Sequence, residues 1–213
     1  MISLPNVTLI ALTGIGYQSP ETIHALQYSQ KGIEFGDVKY IQLGSVRDID
    51  SWNKTIIYDL HKYVDTEFCL LVHENGFVVH PESWNPDWLT YDFIGAPWPV
   101  PTDSFSYRDG SGNIIRVGNS VSIRSKRLLE LPGLLGIEWR PYFGNTNEDG
   151  FLCCHNRELL ERNGIRFAPL EVAKFFSREL DIPENADVDK PFCFHCNKFL
   201  PGRNAEFLPL IGV

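Results

Sequence analysis

The run Phe68-Cys69-Leu70-Leu71-Val72 breaks off into His73-Glu74-Asn75-Gly76, and the architecture turns on that change. Consecutive apolar residues without alternation read as a strand covered on both faces, the habit of a central strand in a parallel sheet. The residues after it place a carboxylate, an amide and a glycine-permitted turn at the strand's carboxyl end. In open α/β sheets, ligands bind outside that end.

Working outward, Val7-Thr8-Leu9-Ile10-Ala11-Leu12-Thr13 is a β-branched and apolar run stopped by Gly14 and Gly16, which predicts a first strand and a loop. Ser19-Pro20-Glu21-Thr22 predicts a helix start, with Ser19 as N-cap and Pro20 at the first helical position. Val38 to Leu43 alternates as a second strand, and Trp52 to Tyr63 carries Ile56, Ile57, Leu60 and Tyr63 on one helical stripe. That β-α-β-α-β order predicts parallel strands with helices across both faces. Residues 81 to 117 are crowded with Pro, Trp, Asp and Gly, and long irregular segments in a compact domain are usually functional. Gly118 to Ser125 reads as a short strand or turn feeding a helix from Lys126 to Leu131. A further helix is expected from Asn147 to about Asn163-Gly164, then a strand at Ile165 to Ala168, and beyond Pro201 a loosely held surface tail.

Composition bounds the possibilities. A chain of 213 residues with 43% apolar and 13% aromatic content predicts one core and one domain. A net charge of −8, with no basic cluster longer than Arg124-Ser125-Lys126-Arg127, argues against nucleic acid as partner. An anionic ligand would have to be met locally, by backbone amides, a metal or a few placed cations. No apolar run approaches the length of about eighteen residues that a membrane span needs, and Met1-Ile2-Ser3-Leu4-Pro5 has no signal-peptide character. A cytoplasmic protein with reduced thiols is expected from its five cysteines, an odd number with Cys153 and Cys154 adjacent.

Four motifs can carry chemistry. Glu74-Asn75 sits where a strand end could offer oxygen ligands to a divalent cation; Asn75-Gly76 also reads as a type I′ hairpin turn between Leu70-Leu71-Val72 and Phe77-Val78-Val79, with Glu74 in solvent. Asn147-Glu148-Asp149 places two acids ahead of a helix, as a base and an orienting carboxylate or as simple capping. Val117-Gly118-Asn119-Ser120 would let backbone approach a sugar or phosphate. Pro191-Phe192-Cys193-Phe194-His195-Cys196 holds a late histidine, and its spacing, like that of Cys153-Cys154-His155, does not suit structural zinc.

In order and residue type these motifs resemble the GT-A glycosyltransferase core, and more narrowly a little-characterised GT-A-like family of bacteria and large DNA viruses. The likeness is carried by Leu4 to Leu9, Leu60 to Phe68, Asn75-Gly76-Phe77-Val78, Val117-Gly118-Asn119 with Ser122 to Ser125, Pro191 to His195 and, most specifically, Tyr91-Asp92-Phe93-Ile94-Gly95-Ala96-Pro97-Trp98-Pro99. It implies a single-domain GT-A fold over residues 1–213, a Rossmann-like mostly parallel mixed sheet flanked by helices. Residues 1–80 would form the nucleotide-binding half and about 81–200 the acceptor and catalytic half. It further implies Mn²⁺ or Mg²⁺ held by Glu74, Asn75 and His195. Asp149 would be the base beside Glu148, and Gly118, Asn119 and Ser120 the donor and acceptor loop. Thr13, Trp52-Asn53 and His73 stand where nucleotide contacts are expected. Asn75 replaces the usual Asp, and Ser120-Val121 replaces a commoner Gly-rich loop.

The expected activity is transfer of a sugar from a nucleotide-diphosphate donor, a UDP-sugar before a GDP-sugar, to a glycan or glycoprotein hydroxyl, in a chain that could belong to a longer multidomain protein. A sugar-nucleotide pyrophosphorylase is the second enzyme class, although Thr13-Gly14-Ile15-Gly16-Tyr17 lacks the cation that reading needs. A non-catalytic glycan-binding module is the third reading.

Overall fold

Strand β1 (Ile2–Gly14) is the axis of the molecule. Strand β2 (Ile33–Leu43) pairs with it in parallel on one side and β3 (Phe68–Leu71) in parallel on the other, with Val7 opposite Phe68 and Ile10 opposite Leu71. Helices α1 (Pro20–Ser29) and α2 (Ile49–Tyr58) make the two crossovers. The sheet is completed by β4 (Phe93–Pro97) and β5 (Val117–Ser125), in the order β2-β1-β3-β5-β4, with β5 antiparallel to both neighbours. The computed structural model describes residues 1–16, 20–141, 147–196 and 199–211. The chain is thus α/β, with a mostly parallel mixed sheet flanked by helices, as the sequence predicts.

Strand periodicity sorts the core into two layers. Leu9, Ala11, Leu70 and Val72 pack with Ala25 and Leu26 of α1, whereas Ile10, Leu12, Cys69 and Leu71 pack with Ile56 of α2 and Leu60 just after it. Successive residues of β1 and β3 therefore serve opposite faces, which is why Val7 to Leu12 and Cys69 to Leu71 are buried without a break. Each fully buried Leu or Ile here contributes about 1.5–3 kcal/mol. The first connection leaves β1 toward β2 and the chain then returns past β1 to β3, so the topological switch point lies between β1 and β3.

Several local expectations need correction. Helix α2 begins at Ile49, not Trp52, because Asp48 and Ser51 form a capping box (Ser51 N–H to Asp48 Oδ1 2.8 Å, Asp48 N–H to Ser51 Oγ 3.0 Å), and it yields to a 3₁₀ turn over Leu60–Tyr63. Pro20 does start α1, while Ser19 lies outside the described residues. Ile165 to Ala168 forms no strand; Phe167 makes one isolated bridge to Phe93 at the sheet edge. Helix α3 (Lys126–Leu134) is capped by Ser125. The acidic motif opens a short helix α4 (Glu148–Gly150), followed by a π turn over Phe151–His155 and α5 (Arg157–Arg162). Helix α6 (Leu170–Phe176) leads into a two-stranded parallel sheet of β6 (Ser177–Arg178) and β7 (Cys193–Phe194). The tail is not loosely held: Gly202–Leu210 is a 3₁₀ segment that buries Phe207 and Asn204. Asn204 Oδ1 accepts from buried Arg178 Nε at 2.8 Å, and Glu206 pairs with the same guanidinium. No helix among the described residues is long and apolar enough to cross a membrane.

Candidate functional site

A cavity of about 500 Å³ opens beyond the carboxyl ends of β1 and β3. Leu12, Thr13 and Gly14 line it from β1, Ile49 and Trp52 from α2, and His73, Glu74 and Asn75 from the turn after β3. Ser120 joins from β5, Asn147, Glu148 and Asp149 from the start of α4, and His195 from the segment after β7. Antiparallel pairing explains part of this: Leu71 stands opposite Ser122, so β5 carries Asn119 and Ser120 back to the residues that follow β3.

The turn after β3 is closed by two hydrogen bonds, His73 N–H to Gly76 O at 2.8 Å and Gly76 N–H to His73 O at 3.1 Å. Neither Asn75 nor Gly76 has a positive φ, so the pair does not make the type I′ turn the sequence allowed. Gly76 is required for space instead. A Cβ there would lie 2.6 Å from Val121 Cγ2, 2.9 Å from His195 Cδ2 and 2.9 Å from the Phe194 carbonyl oxygen. The absent side chain lets the β3 turn, β5 and the His195 segment meet. Asn75 holds that segment with both backbone and side chain: its carbonyl accepts from Cys196 N–H at 2.8 Å, and its Nδ2 donates to Cys196 O at 2.9 Å. Among the described residues, Asn75 Oδ1 is the polar atom left over. Glu74 is half-buried and has no ion-pair partner among the described residues.

The two acids at α4 have different work. Glu148 is buried and paired with buried Arg124 of β5 at 2.6 Å, and its N–H donates to Asn53 Oδ1 at 3.1 Å. Breaking such a pair on one side costs about 3–5 kcal/mol. Glu148 and Asn53 therefore anchor the motif, and Asn53 does not line the cavity. Asp149 is half-buried and accepts from Asn119 N–H at 3.1 Å and from its neighbour Gly150 N–H at 2.7 Å. Burial, then the carboxylates of Glu148 and Glu179, push its pKa up to about 7, against the lowering pull of the Gly150 amide and Arg124. A carboxylate so raised is a competent proton acceptor near neutrality.

His73 packs between Trp52 and His195, with ring centroids 5.4 and 5.7 Å away. Burial first, then His195 and Arg124, hold its pKa down to about 3, so it is neutral in ordinary buffers. Trp52 Nε1 donates to Leu12 O at 3.1 Å, which fixes the indole as one wall. Thr13 Oγ1 lies 3.0 Å from the Tyr40 hydroxyl. Gly118 is displaced from its expected role. A Cβ on it would sit 1.9 Å from the Trp98 ring, so the glycine accommodates that indole and not a ligand.

Glu74, Asn75, Ser120, Asp149 and His195 thus meet at one cavity, and Asn119 braces it. Arg124 and Glu179 are the functional neighbours that the sequence reading passed over. Arg124 stood inside an apparent basic cluster, and its only warning was a charge within a strand. Among the described lining residues there is no Lys or Arg. Among the described residues, no three His, Cys, Asp or Glu side chains are grouped to hold a metal ion by themselves. None of the five cysteines is in a disulfide and all are buried, and burial pushes the Cys69 thiol up to about 12.

No curated protein matches the chain. Residues 37–195 match the model of a family described as protein of unknown function (DUF5672), a span that runs from β2 to the last cavity residue, His195, and the chain belongs to that family.

Proposed function

We propose that the protein is a metal-dependent glycosyltransferase of GT-A type, moving a sugar from a nucleotide-diphosphate donor to a hydroxyl acceptor. The observation that carries this reading is the meeting of Glu74, Asn75, Ser120, Asp149 and His195 at a switch-point cavity with no Lys or Arg in its described lining. A diphosphate placed beside Glu74 and Asp149, the two lining carboxylates not paired with a cation among the described residues, would be repelled unless a cation came with it.

The residues fit a divalent cation. Among the described residues Glu74 has no ionic partner and Asn75 Oδ1 has no hydrogen-bond partner once the amide nitrogen binds Cys196, and Asp149 is already crowded by other carboxylates. Mn²⁺ or Mg²⁺ bound through Glu74 and Asn75 would supply Lewis-acid stabilisation of the charge that builds on a leaving diphosphate. Leu12, Thr13, Ile49 and Trp52 offer an apolar wall with one hydroxyl for the nucleoside end. Ser120 offers a hydroxyl to the sugar. Asp149, held in place by the Asn119 and Gly150 amides, accepts the acceptor's proton as its oxygen attacks the anomeric carbon.

Donor hydrolysis and transfer measured across UDP- and GDP-sugars with Mn²⁺ test the proposal. The wild type is expected to turn over at least one donor in a cation-dependent way, and Asp149→Asn to lose on the order of 10²–10⁴-fold, the usual worth of a positioned base. Turnover of no donor by the wild type, or undiminished transfer by Asp149→Asn, contradicts it.

A further inference from the structure

Asn119 is one of two described non-glycine residues with a left-handed backbone, at φ +82°. Asparagine tolerates that region better than most residues, and here the twist aims three polar groups at once. Its N–H donates to Asp149 Oδ2 at 3.1 Å, its Oδ1 accepts from Val121 N–H at 2.8 Å, and its Nδ2 lies 3.1 Å from His195 Nδ1. The Val121 amide can only donate, so Oδ1 must face it and the NH₂ group must face the imidazole. An amide NH₂ can only donate in turn, so Nδ1 meets it with a lone pair and the ring hydrogen resides on Nε2.

The competing partner is Glu179, whose Oε1 lies 3.5 Å from the same Nδ1 and would favour a hydrogen there. It stands farther off than the Asn119 amide, and the shorter contact decides the tautomer. Nε2 meets no protein partner among the described residues, while His195 lines the cavity. A neutral imidazole that coordinates a cation through Nε2 must carry its hydrogen on Nδ1 instead.

From this network we infer that His195 is a hydrogen-bond donor through Nε2–H to a phosphate oxygen of the ligand, with its tautomer set by Asn119, and not a ligand of the cation. The identity of the acceptor rests on the nucleotide-diphosphate reading above; the tautomer does not. Asn119 is a positioning residue for both Asp149 and His195, which couples the proton acceptor to the group that steadies the departing charge.

Long-range ¹H–¹⁵N correlation spectra of protein labelled with ¹⁵N-histidine, free of ligand and cation in mildly alkaline buffer, read the tautomer directly. The wild type is expected to carry the His195 hydrogen on Nε2. In Asn119→Asp, which keeps an acceptor for Val121 but removes the donor, it is expected to move to Nδ1. A hydrogen on Nδ1 in the wild type, or the same tautomer in both proteins, overturns the inference. Titration with UDP and GDP in Mg²⁺ supplies the second arm. His195→Gln, whose amide N–H reaches about where Nε2–H does, is expected to bind within about threefold of wild type, and His195→Ala to bind about tenfold or more weakly. Mg²⁺ alone is expected to leave the His195 nitrogens unshifted. A shift on Mg²⁺ alone, or equal losses in the two variants, overturns the donor role. Failure of the wild type to bind either nucleotide overturns the functional reading and the phosphate acceptor with it, and the tautomer is then judged on the spectra alone.

Discussion

The two ends of the central sheet use similar residues and balance their charge differently. At the carboxyl end, the cavity between β1 and β3 collects Glu74, Glu148 and Asp149 with no Lys or Arg in its described lining. At the amino end, a cavity of about 650 Å³ is lined by Asp65, Glu67 and Glu130 together with Lys126 and Arg127. The amino end neutralises itself: Asp65 pairs with Lys39 at 2.6 Å, and Lys126 and Arg127 stand among the remaining acids. At the carboxyl end, among the described residues, only Glu148 is neutralised, from beneath, by Arg124. Volume therefore does not single out the site. A deficit of positive charge at a strand terminus does, because that deficit is stabilised only when something cationic arrives.

The largest effect that would break this contrast lies under the carboxyl end. Arg124→Met strands the Glu148 carboxylate and is expected to destabilise the fold by about 3–5 kcal/mol, measured by urea denaturation. The double variant Arg124→Met with Glu148→Gln is expected to regain more than half of that loss. No recovery would mean that the pair is not what anchors α4.

A second, smaller effect sharpens the contrast through pH. The folded pKa of Asp149 lies above its unfolded value, so between about pH 4 and 7 the native state binds the extra proton and stability falls as pH rises. His73 is depressed to about 3, so the unfolded state binds the extra proton between about 3 and 6.5 and stability rises with pH there. In the wild type the two slopes oppose one another across the shared window. Asp149→Asn is expected to leave a rising profile and to be more stable than wild type at pH 8, on the order of 2 kcal/mol. His73→Gln is expected to leave a falling one. Thermal unfolding in chelator-treated buffer from pH 4 to 8 checks both signs.

The smallest effect belongs to the amino end. Lys126→Ala removes a cation from a self-balanced surface and is expected to change stability by less than about 0.5 kcal/mol and donor turnover by less than about twofold. A large loss of turnover would move the site to the wrong end of the sheet.

What the sequence disclosed follows the range of the forces involved. The apolar run at Phe68 to Val72 and the crossover order are local patterns, and the sheet built from them has the expected parallel core. Glu74, Asp149 and His195 were visible because acids and imidazoles are conspicuous beside apolar strands, and Asn75 because it stands at the strand end next to Glu74. Their braces were not. Arg124 looks like part of a basic surface cluster until Glu148, distant in sequence, is found against it. Asn119 looks like a turn residue until its φ and its contacts with Val121, Asp149 and His195 are known. The tail from Gly202 looked free because its hold depends on Arg178, which alone gives no hint of Asn204 or Glu206. Gly76 read as a turn residue, but its smallness is used for packing against Val121 and Phe194.

Calorimetric titration of the chelator-treated protein with UDP and GDP, first alone and then with Mn²⁺, is the most direct test. The account predicts that neither nucleotide binds measurably without the cation and that at least one binds with it, with Glu74→Ala weakening the cation-dependent heat. Equal binding with and without Mn²⁺, or no binding of either nucleotide in its presence, would contradict a cation-completed diphosphate site at the carboxyl ends of β1 and β3.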